Sequence, residues 1–215
     1  MTPDRSHHTR APNWDVRFAG EDYLFGTAPN EFLISCRELL PEGGQVLCVA
    51  DGEGRNGVWL ASQGFDVDAF DASPVGVAKA RRLAAERGVS VRFQVADAAG
   101  WRWPTHAYDA VAAIFIQFAP PPLRQRIFGY VARALRPGGL LLLEGYRVEQ
   151  LEYGTGGPRV ADELYTEAQL RTELSAFTLE RVTSYEAVID EGAGHSGMSA
   201  LLDVVARRPP DQVRL

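Results

Sequence analysis

Short apolar runs alternate with amphipathic ones along most of this chain. Residues 46–50, 67–70, 89–96, 108–116 and 140–145 read as strands, several of them apolar throughout, as strands covered on both faces are. Between them lie helical patterns. One runs from about Arg55 to a stop at Gly64; another covers 75–87, entered by Ser73-Pro74 and closed by Gly88. A third follows the triple proline 120–122, with Leu123, Ile127, Val131 and Leu135 at one-face spacing. Residues 29–40 predict a further helix ahead of the first strand. This alternation implies an α/β fold, a doubly wound and mostly parallel sheet with helices on both faces. The ending differs. A Gly-rich loop over 146–162 and a short helix over 166–175 precede strands at 179–189 and 199–207, whose short connection makes them an antiparallel hairpin. Seven strands follow from the count.

One βαβ unit carries candidate chemistry. In QVLCVADGEGRNGVWLASQGFDVDAFD a strand breaks at Asp51-Gly52-Glu53-Gly54, a helix follows, and the next strand stops on Asp71. Gly52 and Gly54 permit a tight turn and a close backbone approach. The helix N-terminus favours an anionic group. Asp71, about 20 residues past the loop, is placed to accept hydrogen bonds from ribose hydroxyls. Gly52-x-Gly54-x-x-Gly57 also meets the dinucleotide spacing, so the unit predicts an adenosine-containing cofactor without saying which. A βα turn without a ligand uses the same residues.

Composition narrows the classes. The 215 residues are 46% hydrophobic with a net charge of −6, which suits one soluble domain and argues against a nucleic-acid partner. No apolar run reaches membrane-spanning length, and the polar start lacks a secretory core, so the expected address is cytoplasmic. Cys36 and Cys48 read as buried thiols, and His7-His8 is poorly placed to chelate a metal; no metal is expected. The expected organisation is a disordered tail over 1–12, one domain over 13–208 and a tail over 209–215. Within the domain, residues 13–40 form a flap. Its Trp14, Phe18, Tyr23 and Phe25 follow no period, so they cover either the core or a ligand cleft.

These residues resemble class I S-adenosylmethionine-dependent methyltransferases over nearly the whole chain. VLCVADGEGRN, FDVDAFD, FQVADA, YDAVAAIFIQF and ALRPGGLLLLEGY follow the order of that family's motifs. Closer in, GEGRN, FDVDAFD and GHSGMSALLDVVARR look most like the small tellurite-resistance group and, more distantly, thiopurine methyltransferases. The resemblance implies a Rossmann-like domain, S-adenosylmethionine as cofactor and methyl transfer to a small molecule, such as a thiol or a selenium or tellurium oxyanion. It implies that Asp51, Gly52, Gly54, Arg55, Asp71, Ala72, Asp97, Ala98 and Phe115 hold the cofactor. Gln117 and His195 are the catalytic candidates, His195 because an imidazole titrates near neutrality. Trp14, Tyr23, Phe25 and Arg147 are candidates for the acceptor pocket. One departure stands out: Cys48 and Ala50 hold places where the family has an acid and a glycine, and the acid comes at Asp51. A nicotinamide-dependent oxidoreductase and a non-catalytic cofactor-binding protein are the alternatives, and either a monomer or a homodimer is compatible with the sequence.

Overall fold

The computed structural model describes residues 13–211. The tail expected over 1–12, His7-His8 and the last four residues lie outside them. The chain runs through α1 (Trp14–Arg17), α2 (Glu31–Ser35), β1 (Gln45–Val49), α3 (Arg55–Ser62), β2 (Asp66–Asp71), α4 (Pro74–Glu86), β3 (Arg92–Val95), β4 (Tyr108–Ile114), α5 (Pro121–Ala134) and β5 (Leu135–Tyr146). It finishes with α6 (Gln150–Tyr153), α7 (Glu167–Glu173), β6 (Thr178–Asp190) and β7 (Ser196–Arg207).

The seven strands form one sheet in the order β3-β2-β1-β4-β5-β7-β6. Strands β3, β2, β1, β4 and β5 are parallel to their neighbours, whereas β7 pairs antiparallel with both β5 and β6. This is the doubly wound, mostly parallel α/β sheet, closed by an antiparallel hairpin, that the alternation predicts. The strand order reverses between β1 and β4, and a ligand crevice opens at such a point, beyond the carboxyl ends of the strands.

Alternation along each strand divides the core. Leu47 and Val49 of β1 join Val111 and Ala113 of β4 under α5 and α7. Val46 and Cys48 face the other way, into a cluster with Phe32, Leu33, Val58, Val77 and Leu83 from α2, α3 and α4. The caps are those the sequence offers: the Ser73 hydroxyl accepts from Gly76 N at 3.1 Å, with Pro74 behind it.

Several boundaries differ from expectation; β3 begins at Arg92 rather than 89, and β5 at Leu135 rather than 140. The helix expected over 29–40 is a short α2 capped by Asn30, followed by a 3-10 turn over Arg37–Leu39 before Pro41 ends it. The flap begins with one helical turn, in which Asn13 Oδ1 accepts from Val16 N at 3.4 Å. The last hairpin is longer than its apolar pattern, because the half-buried pair Ile189↔Gly197 and the exposed pair Asp190↔Ser196 continue the ladder.

Candidate functional site

A cavity of about 300 Å³ sits at the reversal of strand order, lined by the ends of β1, β2 and β4, the loop after β3, the flap and His195. Its floor is the turn after β1. There the Asp51 carboxylate swings back under α3 and accepts from Gly57 N at 3.2 and 3.3 Å. The helix therefore carries its own acid at its positive end, and a Cβ on Gly57 would lie 2.6 Å from Asp51 Oδ2. Burial and the nearby Asp71 raise Asp51 to about 7, against the pull of the Gly57 N–H and Arg55. Ala50, which stands where the family has glycine, has a φ of 50°, in the left-handed region that costs a residue with a Cβ.

Asp71 ends β2 and is fixed from both sides, since Gly52 N donates to one carboxylate oxygen at 2.9 Å and Ser73 N to the other at 2.8 Å. A carboxylate offers about four acceptor positions. Two are used, so a ribose diol can take the rest. Burial raises its pKa, and the two backbone donors counter it. Asp97 is exposed at the rim; Oδ1 accepts from Ala99 N at 2.6 Å, and Oδ2 has no partner among the described residues. Between these acids Phe70, Ala72, Ala96 and Ala98 make an apolar slot. Ribose hydroxyls at Asp71, a flat base in the slot and an amino group at Asp97 fit this arrangement.

The roof comes from the two ends of the chain. Trp14 stacks on Phe18 at 5.4 Å between ring centroids, and Phe18 meets Phe25 edge-on at 6.2 Å. Lys79 of α4 pins this segment by donating to the backbone oxygens of Phe18, Gly20 and Asp22, while Leu24 N donates to Glu53 at 2.7 Å. From the other end, Gly194 N donates to Leu24 O at 2.9 Å, so flap and hairpin loop form one lid. His195, 7% exposed, packs among Phe25 (4.3 Å), Phe115 (4.4 Å) and Tyr146 (5.5 Å). Its Nδ1 lies 3.3 Å from Glu191 Oε2, which also receives Arg55 at 2.7 Å. Asn30 donates to the other Glu191 oxygen at 3.0 Å. Burial, then hydrogen bonds from His195 and the charge of Arg55, act on Glu191; the partners win and hold it at about 2. Burial lowers the His195 pKa and outweighs the raising effect of Glu191.

Of the residues singled out in the sequence, Asp51, Gly52, Arg55, Asp71, Ala72, Asp97, Ala98, Phe115, His195, Trp14 and Phe25 line this cavity. Four do not. Gln117 is buried away from it, donating to Tyr146 O at 2.8 Å and Glu163 O at 3.2 Å while accepting from Tyr146 N at 2.5 Å, so its amide is consumed by the fold. Gly54 lies beneath the loop, where a Cβ would meet Ala80 Cβ at 2.6 Å; its part is α3–α4 packing. The Tyr23 hydroxyl donates to Lys79 O at 3.3 Å and its ring lies under Lys79 and Arg82. Arg147 pairs with Glu149 at 2.6 Å, away from the lining. Phe18, read in the sequence as a flap aromatic over core or cleft, is on the wall; sequence reasoning missed Asn56, Ile114 and Phe118 there and Glu191 behind His195. Asp190-Glu191-Gly192 read only as a turn.

Residues 46–139 match the family described as "Methyltransferase domain". The chain is 36% identical over 101 residues to a demethylmenaquinone methyltransferase of Thermus thermophilus, an alignment covering 46% of each chain. The chain spans about half the length of the curated relatives it matches. In fold, the whole chain is similar to a structure solved for the conversion of a disulfide bond into a thioacetal group during echinomycin biosynthesis (TM-score 0.75, 20% identity, 91% of this chain and 88% of that one). It is also similar to TehB from Haemophilus influenzae (TM-score 0.69, 15% identity, 85% and 63%). At these identities the likeness is one of fold, and TehB is one neighbour among many. No helix among the described residues is long and apolar enough to cross a membrane, and no described group of three or more His, Cys, Asp or Glu is placed to hold a metal.

Proposed function

We propose that this chain is an S-adenosylmethionine-dependent methyltransferase acting on a small molecule. The observation that carries this reading is Asp51 at the N-terminus of α3. In a dinucleotide site that helix end receives the pyrophosphate. Here the Asp51 carboxyl group already occupies the Gly57 N–H, so a phosphate would have to displace it, whereas an ammonium group beside it would favour its ionised form. A ligand with an ammonium group and no phosphate is the better match, which favours S-adenosylmethionine over a nicotinamide cofactor. Asp71 takes the ribose, Asp97 the adenine amino group, and Asp51 and Arg55 the charged methionine end. When bound, the cofactor supplies an activated methyl group. The protein orients the acceptor and excludes water with the aromatic lid.

The nearer kinship with the tellurite-resistance group, with its thiol or oxyanion acceptors, belongs to this reading too; its support is the terminal GHSGMSALLDVVARR and the likeness to TehB. Calorimetric titration with S-adenosylmethionine, S-adenosylhomocysteine and NAD tests the cofactor. Micromolar binding of the two sulfur ligands, lost in Asp71→Ala, is the expected result. Binding of NAD alone would sink it.

A further inference from the structure

Behind His195 the structure builds more than a solvated loop would need. Glu191 Oε2 receives both His195 Nδ1 and Arg55, and Oε1 receives Asn30, so three elements converge on one carboxylate. With Glu191 ionised, it can only accept, so Nδ1 must carry the proton. A neutral imidazole then has its lone pair on Nε2, which makes no hydrogen bond among the described residues, on a ring that lines the cavity. The charged groups facing this ring are Glu191 on its own loop, Arg55 on α3 and Arg17 on α1. Both cations oppose protonation. Both are also engaged: Arg55 is tied to Glu191, and Arg17 lies 4.6 Å above the Trp14 ring. The remaining walls near the imidazole are Phe25 and Phe115. An oxyanion would therefore find one cation on the cavity wall beside His195, Arg55, and that one is already paired with Glu191.

We propose that Glu191 is the positioning residue of a His195 base, and that the acceptor is a neutral, proton-bearing nucleophile on a flat apolar frame. This rests on the methyltransferase reading above and sets aside the oxyanion acceptors of the tellurite-resistance group. In the step, the bond from the acceptor atom to the methyl carbon forms as the sulfur–methyl bond breaks. That electron pair stays on sulfur and leaves a neutral thioether. The acceptor's proton passes to His195 Nε2 and then to solvent. Glu191 stabilises the transient imidazolium across Nδ1–H, as a carboxylate does for a buried base.

The test begins with protein carrying nitrogen-15 histidine, titrated with S-adenosylhomocysteine. Failure of the parent protein to bind this ligand would overturn the cofactor reading and take the present one with it, before any tautomer is read. With the ligand bound at pH 7, the His195 signals should show a protonated Nδ1 and a free Nε2; the opposite tautomer overturns the proposal. Methyl transfer is then followed with substituted phenols and thiophenols, some ionised at the assay pH and some not, alongside selenite and tellurite. With S-adenosylmethionine saturating, so that any change in cofactor affinity through Arg55 drops out, Glu191→Gln should move the acid limb of the kcat profile to lower pH. It should slow un-ionised acceptors about 10²-fold or more while slowing ionised ones only a few-fold, and Glu191→Asp should recover part of the loss. Equal losses for both acceptor sets would reduce Glu191 to a structural role. Turnover of the oxyanions alone, or of no aromatic probe, would overturn the acceptor class.

Discussion

Asp51 and Gly57 depend on one another. The carboxylate reaches α3 only because Gly57 has no side chain, and an alanine there would set a Cβ 2.6 Å from Oδ2. Gly57→Ala should push the carboxylate out of its place, weakening S-adenosylhomocysteine binding about tenfold by calorimetry while circular dichroism keeps its native shape. The sequence displays Asp51 and Gly57 but reads the glycine as part of a ligand loop, since a contact between a turn acid and a helix amide six residues on has no periodic signature. Gln117 shows the same limit. Continued alternation along β4 would put Phe115 and Gln117 on one face, but Phe115 turns with a φ of 54°, which breaks the period of two and sends Gln117 inward to Tyr146. Asp71 and Asp97 were legible because they end strands, and strand ends at a reversal of order face the crevice whatever their rotamers.

At the scale of elements, the lid is held by backbone closeness rather than by apolar area. Gly192 has a φ of 74°, and a Cβ there would lie 2.5 Å from Gly26 N and 2.7 Å from Leu24 O. Gly192→Ala should part hairpin loop from flap, raising the dissociation constant for S-adenosylhomocysteine and speeding hydrogen exchange at Leu24 and Gly26, with exchange in β1 and β4 unchanged. A contrasting element contact lies away from the site. Arg124 of α5 and Glu173 of α7 form a buried two-point ion pair at 2.7 and 2.8 Å. Glu173→Ala strands the guanidinium and should cost about 3–5 kcal/mol in denaturant unfolding, with ligand affinity intact. The alternation of strands and helices was plain in the sequence. The pairing of flap with hairpin loop was not, because it joins segments that share no pattern and meet only in the folded sheet.

For the molecule as a whole, the buried acids set the response to pH. Unfolded carboxyls titrate near ~4. Folded Asp51 is at about 7, mainly through burial, and Asp203 at about 6, again mainly through burial, beside its cross-strand partner Glu144. Between those values and ~4 the folded state holds protons that the unfolded state has released, so stability falls as pH rises through 4 to 7. Glu191, held at about 2, works the other way, but its contribution is complete above ~4.5 and is lost only as pH falls towards 2. His195, with a lowered pKa, subtracts stability below ~6.5. These raised carboxyls, with Asp71 and Glu144 also pushed up by burial, outnumber it, so the melting temperature should decline from pH 5.5 to 8, and Asp51→Asn should flatten that decline. An unchanged slope in the variant would remove Asp51 as its source.

The lid also has a history in the making of the chain. Asn30 and Glu191, which bond across it, are separated by 161 residues. At a synthesis rate of about 5–20 residues per second, the flap leaves the ribosome on the order of 10–30 s before its partner exists. During that interval Trp14 and Phe25 have neither His195 nor the hairpin loop to rest against, although β1 and β2 can already pair. The nascent flap is thus held only from the α4 side until the hairpin loop emerges, and nascent chains halted before Glu191 should crosslink to chaperones at Phe25 more strongly than the released protein does.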